Sequence, residues 1–246
     1  MPYNRLSTSK IAQAAGCHPN TVRMYEQQGF LPPVQRAANG YRLYTPAHLH
    51  QMIFARAAFN SPWCGRALRR SLTALVLTAA SHSLEEARAA AARHLELVRT
   101  ELAYAEDAAS VLESWASLPA PAENRFALRI REAAHRVGAT PDMLRGWERD
   151  GMLDVPRNPR NRYREYGAAE LARLRVIRLL RSAGYSTMSI LRMLLQLDNG
   201  GGDLCAALDT PRPDEDAYVA ADHWLTSLHD AEENALLLVR LLDERE

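Results

Sequence analysis

Five side chains near the N-terminus suit the gripping of a polyanion: Arg23, Tyr25, Tyr41, Arg42 and Tyr44. The set returns 122 positions later as Arg145, Trp147, Tyr163, Arg164 and Tyr166, with tryptophan in place of one tyrosine. Arginine offers a planar fork that matches a phosphate or a guanine edge. Tyrosine donates its hydroxyl to phosphate while its ring packs on the protein beneath, and Trp147 keeps an indole N–H as donor. Taken singly, these residues read equally as a solvated basic face with packing aromatics. Their return at fixed spacing favours a shared binding task.

The elements that position them repeat as well. Thr21–Leu31 corresponds to Met143–Leu153, Gly16 to Gly138, Pro19 to Pro141 and Asn39 to Asn161, all without a gap. The 246 residues, 47% of them hydrophobic, are therefore an internal duplication with enough apolar material for two cores. The formal net charge of +1 hides a partition. Residues 1–72 carry +8, residues 73–120 carry −4, residues 121–195 carry +7 and residues 196–246 carry −10. Each repeat is a basic unit followed by an acidic one, the arrangement expected of a surface for a polyanion with its acidic part held elsewhere.

In the first repeat, Ser7, Thr8 and Ser9 are N-cap candidates for a short helix that Gly16 stops. Pro19 opens a second helix, through Val22, Tyr25 and Glu26, that ends at Gly29. Two short helices joined by a tight turn read as helix-turn-helix, a hairpin also common in proteins that never touch nucleic acid. Asn39-Gly40, flanked by Val34-Gln35-Arg36 and Tyr41-Arg42-Leu43-Tyr44, predicts a two-residue β-hairpin, a small wing. Thr45-Pro46 starts a further helix, and another is expected over residues 65–78. The second repeat places Thr140-Pro141 at the start of its equivalent helix. Four arginines, Arg157, Arg160, Arg162 and Arg164, stand in its wing where the first has Arg36 and Arg42.

The run Gly-x-x-x-x-Thr-Val-Arg-x-Tyr-Glu-x-x-Gly-Phe-Leu-Pro-Pro, followed by Asn-Gly-Tyr-Arg-Leu-Tyr, resembles the DNA-binding domain of the MerR family of bacterial transcription regulators. The resemblance covers about residues 6–78 and again 126–196. It implies a winged helix-turn-helix whose second helix enters the major groove while the wing reaches the flanking backbone. Carried over position by position, it marks Arg23 and Tyr25 on the recognition helix, and Tyr41, Arg42 and Tyr44 in the wing, as DNA-contacting or contact-supporting. His18, Asn20 and Thr21 lie near the helix end that points into the groove, with ordinary capping as the competing reading. Arg36 and Asn39 complete the first set. Thr140, Arg145, Trp147, Arg160, Arg162, Tyr163, Arg164 and Tyr166 form the second. The pattern is kept at Arg181-Ser182-Ala183-Gly184-Tyr185-Ser186, whereas Phe59-Asn60-Ser61-Pro62-Trp63-Cys64 departs from it.

After each basic unit the pattern changes. Ala91, Leu95, Val98, Leu102, Ala105, Ala109, Leu112 and Ala116 keep alternating four-three spacing, as do Ala217, Ala221, Trp224, Leu228, Ala231, Ala235, Leu238 and Leu242. Both read as coiled-coil seams, matching the dimerisation helix that the resemblance implies, with packing of the first stripe onto its own domain as the other reading. The expected fold is mostly α: two winged helix-turn-helix domains, residues 1–80 and 126–198, each with a small β wing. Long coiled-coil helices follow, over 83–118 and 213–245, with a Pro/Ala linker over 119–125.

Three cysteines, none in a CxxC pair, point to a reducing compartment, and the cytoplasm is expected. Neither a signal peptide nor a membrane span is anticipated. Metal sensors of the resembled family place a cysteine where Cys205 falls, but no cysteine follows it, and a lone thiol is a poor soft-metal site. No metal site and no cofactor are expected. His48, His50, His223 and His229 read as helix-surface residues. Trp63, Trp115 and Trp224 are either core or lining for a small-molecule pocket whose ligand the sequence does not name. No nucleophile elbow, phosphate loop, zinc-protease helix or carboxylate pair occurs, so an enzyme is not expected.

The resemblance implies double-stranded promoter DNA and RNA polymerase as partners, with an overlong promoter spacer realigned by bending or untwisting. Both half-site readers stand on one polypeptide, giving an intramolecular pseudo-dimer or, through the same helices, a homodimer. The alternative is an interaction or architectural protein in which one or both units no longer read DNA specifically.

Overall fold

The computed structural model describes residues 6–81, 83–116, 127–200, 202–210 and 223–245, with the backbone alone over 113–116. The chain divides into two compact units, Met1–Thr100 with Leu228–Glu246, and Glu101–Ser227. The linker over 119–125, the first part of the 213–245 helix with Ala217 and Ala221, and the side chains of Trp115 and Ala116 lie outside the described residues.

In the first unit, α1 (Thr8–Ala14) is capped by Ser7, whose hydroxyl accepts from the Lys10 amide at 3.3 Å. Gly16, at φ +62°, turns the chain into α2 (Pro19–Gln27). A short hairpin follows, β1 (Gln35–Arg36) paired antiparallel with β2 (Arg42–Leu43), and Leu6 bridges to Tyr44 beside it. Asn39 and Gly40 do not form the expected two-residue turn. The Ala37 amide donates to the Tyr41 carbonyl and the Gly40 amide to the Ala37 carbonyl, which closes a three-residue loop, Ala38-Asn39-Gly40, with Gly40 at φ +80°. A tight turn followed by one left-handed glycine is the next most common hairpin connection.

Then come α3 (Pro46–Phe59) and α4 (Gly65–Ser81), three residues longer than expected, and α5 (Leu84–Ala116). The core gathers Ile11, Val22, Tyr25, Leu31, Tyr44, Met52, Phe54, Leu72, Leu75 and Val76. Fully burying side chains of this size stabilises by roughly 1.5–3 kcal/mol each. Tyr25 stands edge-on to Phe30 and Phe59, with ring centroids 5.6 and 5.8 Å away. Gln51, buried in α3, donates to the carbonyls of Phe30 (3.0 Å) and Val76 (3.1 Å), so a polar group in the core is matched and pins α4 against the loop after α2.

The second unit repeats the plan with α6 (Ile130–Arg136), α7 (Pro141–Arg149), α8 (Ala168–Ser182) and α9 (Thr187–Asp198). Its wing is reduced to single bridges, Arg157 with Arg164 and Leu128 with Tyr166, rather than a regular strand pair. Its loop is one residue longer: the Asn158 amide donates to the Tyr163 carbonyl, and Arg162 takes φ +63° where the first loop has Gly40. The sequence reading missed a short helix, α10 (Leu204–Asp209), beyond the glycine run. Asp203 caps it, and the buried Arg192 guanidinium donates to the Ala207 carbonyl at 2.8 Å, fastening it to α9. Trp224 begins α11 (Trp224–Asp243) and donates its indole N–H to the Ala183 carbonyl at 2.7 Å. A Cβ on Gly184 would lie 2.6 Å from the Trp224 ring, so only glycine fits at that turn.

Within the first unit, α5 and α11 run antiparallel. Arg88 pairs with Asp243 at 3.0 Å and Arg99 with Glu232 at 2.7 Å, eleven residues apart on each helix in opposite directions. Such exposed pairs contribute little. The apolar seam contributes more: Ala87 and Ala91 of α5 share the core with Leu238 and Leu242 of α11. Along α5, Val98, Leu102, Ala105, Ala109 and Leu112 are also buried, and Leu95 is half-buried.

Candidate nucleic-acid interface

The fold presents one edge of α2 beside the wing. His18 caps α2, its Nδ1 accepting from the Asn20 amide at 3.2 Å, and the residue is exposed. Asn20 and Arg23 are exposed and joined, Arg23 Nη1 donating to Asn20 Oδ1 at 2.8 Å. Thr21 is half-buried behind them. In the wing, Arg36 and Asn39 are exposed, and Tyr41 is 74% exposed.

The other aromatic positions lie inward. Tyr25 and Tyr44 are buried, as are their counterparts Trp147 and Tyr166. This narrows the two roles left open for them: their side chains are not at the surface, and they form the platform under the exposed residues. Burial raises the hydroxyl pKa of Tyr25, Tyr44 and Tyr166 above its ordinary value, with Glu26 adding to the rise at Tyr44 and Glu148 at Tyr166.

Arg42 and Arg164 are half-buried because each is committed to an acid of the neighbouring helix. Arg42 Nε donates to Glu26 at 2.5 Å and Arg164 Nε to Glu148 at the same distance. The bond to Glu148 holds the Arg164 pKa above its ordinary value. Glu148 also faces Arg157 at 3.7 Å. The sequence reading gave Glu26 and Glu148 no role at the site, although they share the 122-residue offset; Glu26 is the single acid of residues 1–72, whereas Glu148 stands among other acids, so the shared offset was the available signal.

In the second unit, Thr140 caps α7 through its hydroxyl, which accepts from the Met143 amide at 3.2 Å. Arg145 is exposed and donates to Asp142 at 2.5 Å. Arg160, Arg162 and Tyr163 are exposed on the wing, and the Arg129 guanidinium lies 4.7 Å over the Tyr163 ring. A groove of about 830 Å³ opens between α7 and the wing, lined by Arg129, Ile130, Arg131, Arg145, Arg157, Asn161, Arg162, Tyr163 and Arg164. Six of those nine residues are arginines, so the groove gathers guanidinium forks of the kind whose geometry matches phosphate. Arg160 and Thr140 do not line it. Arg157 lines it as one of the four wing arginines, whereas Arg129 and Arg131 were not among the expected contacts, because the start of α6 meets the wing only in the fold.

The remaining candidates resolve individually. His48 is buried rather than on the helix surface: its Nδ1 accepts from the Thr45 amide at 3.1 Å and closes the capping box of α3. His223 is half-buried beside the Asp209 carbonyl at 2.9 Å. Trp224 is core and Trp63 is 56% exposed, whereas its counterpart Tyr185 is buried. Cys64 is buried, with its thiol pushed up to about 11 by burial and then by Asp230; Cys17 and Cys205 are half-buried. Among the described residues no three His, Cys, Asp or Glu side chains gather as for a metal ion, and no helix is long and apolar enough to cross a membrane.

Two family models match the chain. Residues 7–44 match the MerR family regulatory protein and residues 128–197 the MerR HTH family regulatory protein. The chain is 36% identical over 64 residues to the HTH-type transcriptional regulator CueR of Salmonella typhi, covering 24% of this chain and 46% of that protein. It is 43% identical over 44 residues to the HTH-type transcriptional regulator ZntR homolog of Haemophilus influenzae, covering 18% and 33%. With a probable heavy metal-dependent transcriptional regulator of the same organism it shares 35% over 72 residues, covering 29% and 56%. The chain thus spans about half the length, or less, of these curated relatives. No solved structure matches it. With one match in each repeat, and a helix-turn-helix with its wing behind each match, the chain belongs to the MerR family and carries two MerR-type helix-turn-helix units.

Proposed function

We propose that this protein is a sequence-specific DNA-binding transcription regulator whose two units each read one half of an imperfect palindromic promoter operator. The observation that carries the reading is the groove of six arginines between α7 and the wing, continuous with the exposed Arg145 of the helix that would enter the major groove. The relatives are transcriptional regulators by name, which supports the same role. The metal dependence of one relative is not carried over, since Cys17 lies in the α1–α2 turn, Cys64 just before α4 and Cys205 on α10, and no three candidate ligands gather among the described residues.

In this reading the DNA-binding units span residues 1–80 and 126–198. His18, Asn20, Thr21, Arg23, Arg36, Asn39 and Tyr41 contact DNA from the first, and Thr140, Arg145, Arg160, Arg162 and Tyr163 from the second. Arg42 and Arg164 tie each wing to its helix while offering their remaining N–H groups to phosphate, and Tyr25, Tyr44, Trp147 and Tyr166 support them from below. One polypeptide acts as a pseudo-dimer; the opposed ion pairs Arg88–Asp243 and Arg99–Glu232 support this, because antiparallel helices let one chain return on itself. Promoter distortion and contact with RNA polymerase follow from the family resemblance.

Gel-shift titration on genomic fragments across a salt series tests the reading. A sequence-selective complex weakening steeply with salt is expected, by roughly 0.9 in log–log slope per phosphate contact. Equal affinity for all fragments would leave an architectural role, and no complex would end the DNA reading. Light scattering at micromolar concentration tests the pseudo-dimer: a monomer is expected, and a dimer holding four readers would refute it.

A further inference from the structure

Asn20 and Asp142 hold the same place, the second residue of α2 and of α7. Each accepts from the arginine three residues on, Arg23 Nη1 reaching Asn20 Oδ1 at 2.8 Å and Arg145 Nη1 reaching Asp142 Oδ1 at 2.5 Å. The geometry is common to both units and the chemistry is not. An amide presents a donor and an acceptor side by side, and its oxygen keeps a second lone pair while the arginine uses the first; a carboxylate presents acceptors alone. The Asp142 side chain is 90% exposed and that of Arg145 53%, so the pair stands at the surface, at the end of the helix that points into the groove in the reading above.

We propose that this position is the base-specifying difference between the two half-sites, with Asn20 reading adenine and Asp142 reading cytosine. Adenine shows the major groove an N6 amino donor beside the N7 acceptor, the complement of an amide. Cytosine shows its N4 amino donor, the complement of a carboxylate, whereas guanine and thymine offer acceptors that repel it. Arg23 and Arg145 orient their neighbours through the hydrogen bonds just given and leave further guanidinium N–H groups for a shared phosphate or guanine contact. The consequence is that the operator has a fixed orientation: one half cannot substitute for the other.

The inference rests on the proposed DNA-reading function, and its test separates the two. The full chain is used to select duplexes from a random pool, and affinities are then measured for every single-base change in each half-site. The measurements are repeated for Asn20→Asp and Asp142→Asn, near-isosteric exchanges whose folding is checked by thermal melting. Each exchange is expected to change the preferred base at one position of one half-site only, adenine to cytosine or the reverse, by roughly tenfold or more in relative affinity. The double exchange is expected to bind the operator in the opposite orientation. If the unsubstituted chain forms selective complexes but both exchanges leave every base preference unchanged, Asp142 serves only the helix end and this inference is overturned while the function stands. If the unsubstituted chain selects no sequence, the functional reading falls and this inference with it.

Discussion

Arg42 of the wing donates to the carboxylate of Glu26 in α2 at 2.5 Å, and the same acid accepts from the Tyr44 hydroxyl at 3.2 Å. One carboxylate thus joins the helix to the strand beside it, and it lies within the structure, with both ion-pair side chains under a quarter exposed (24% and 18%). Replacing it strands a guanidinium and a buried hydroxyl. Glu26→Ala is expected to cost ~2–3 kcal/mol in urea denaturation, on the scale of charge-assisted hydrogen bonds. A cost within measurement error would show that the wing is held by its backbone pairing alone.

The two units differ in how they use that acid. The Tyr44 hydroxyl has Glu26 as acceptor, whereas the Tyr166 hydroxyl is buried with no hydrogen-bond partner among the described residues, and Glu148 serves Arg164 and Arg157. Tyr44→Phe should therefore lose about 1–2 kcal/mol, while Tyr166→Phe should be neutral or slightly stabilising. Equal losses would contradict this asymmetry.

Gly40 and Arg162 share the left-handed conformation at the same place in their loops, φ +80° and +63°. A side chain there costs ~1–2 kcal/mol. Gly40→Ala is expected to destabilise by about 1 kcal/mol, and Arg162→Gly to be neutral or mildly stabilising once the added freedom of the unfolded chain is set against the relief. The same Arg162→Gly change removes a cation from the groove, so its DNA affinity should fall while its melting temperature holds. Parallel movement of both quantities would rule out this division.

Arg23→Ala and Arg145→Ala should weaken different halves of the operator. Each loses a contact worth ~1–3 kcal/mol, about ten- to a hundredfold in affinity. Footprinting of the two variants reads the result, and equal loss on both halves would count against one reader per half-site.

His94 is buried in α5, with Nδ1 3.1 Å from the Ser71 hydroxyl, and burial lowers its pKa from 6.5 to about 4. Below pH 6.5 the unfolded chain binds a proton that the folded chain does not take up until pH nears 4. Stability is therefore complete above that window and falls as pH drops through it, by at most ~3 kcal/mol. Denaturation of the full chain at pH 7 and pH 5 should show the loss, and His94→Gln should flatten it.

The duplication, both helix-turn-helix hairpins and the identities of Arg23, Arg145 and the wing residues were legible in the sequence, because capping residues, left-handed glycines and helical periodicity act over a few neighbours. The same signals placed the seam positions Ala91, Val98, Leu238 and Leu242, which are buried. Tertiary structure decided which functional-looking residues face outward. Tyr25, Tyr44, Trp147 and Tyr166 belong to the motif yet lie under it, since burial depends on what packs across from a side chain and not on its type. It also decided that Glu26 and Glu148 hold the wing arginines, pairs sixteen residues apart that no local spacing announces. Arg129 and Arg131 join the groove for the same reason. Local rules set each element, and convergence of charge at a site requires the chain to fold back on itself.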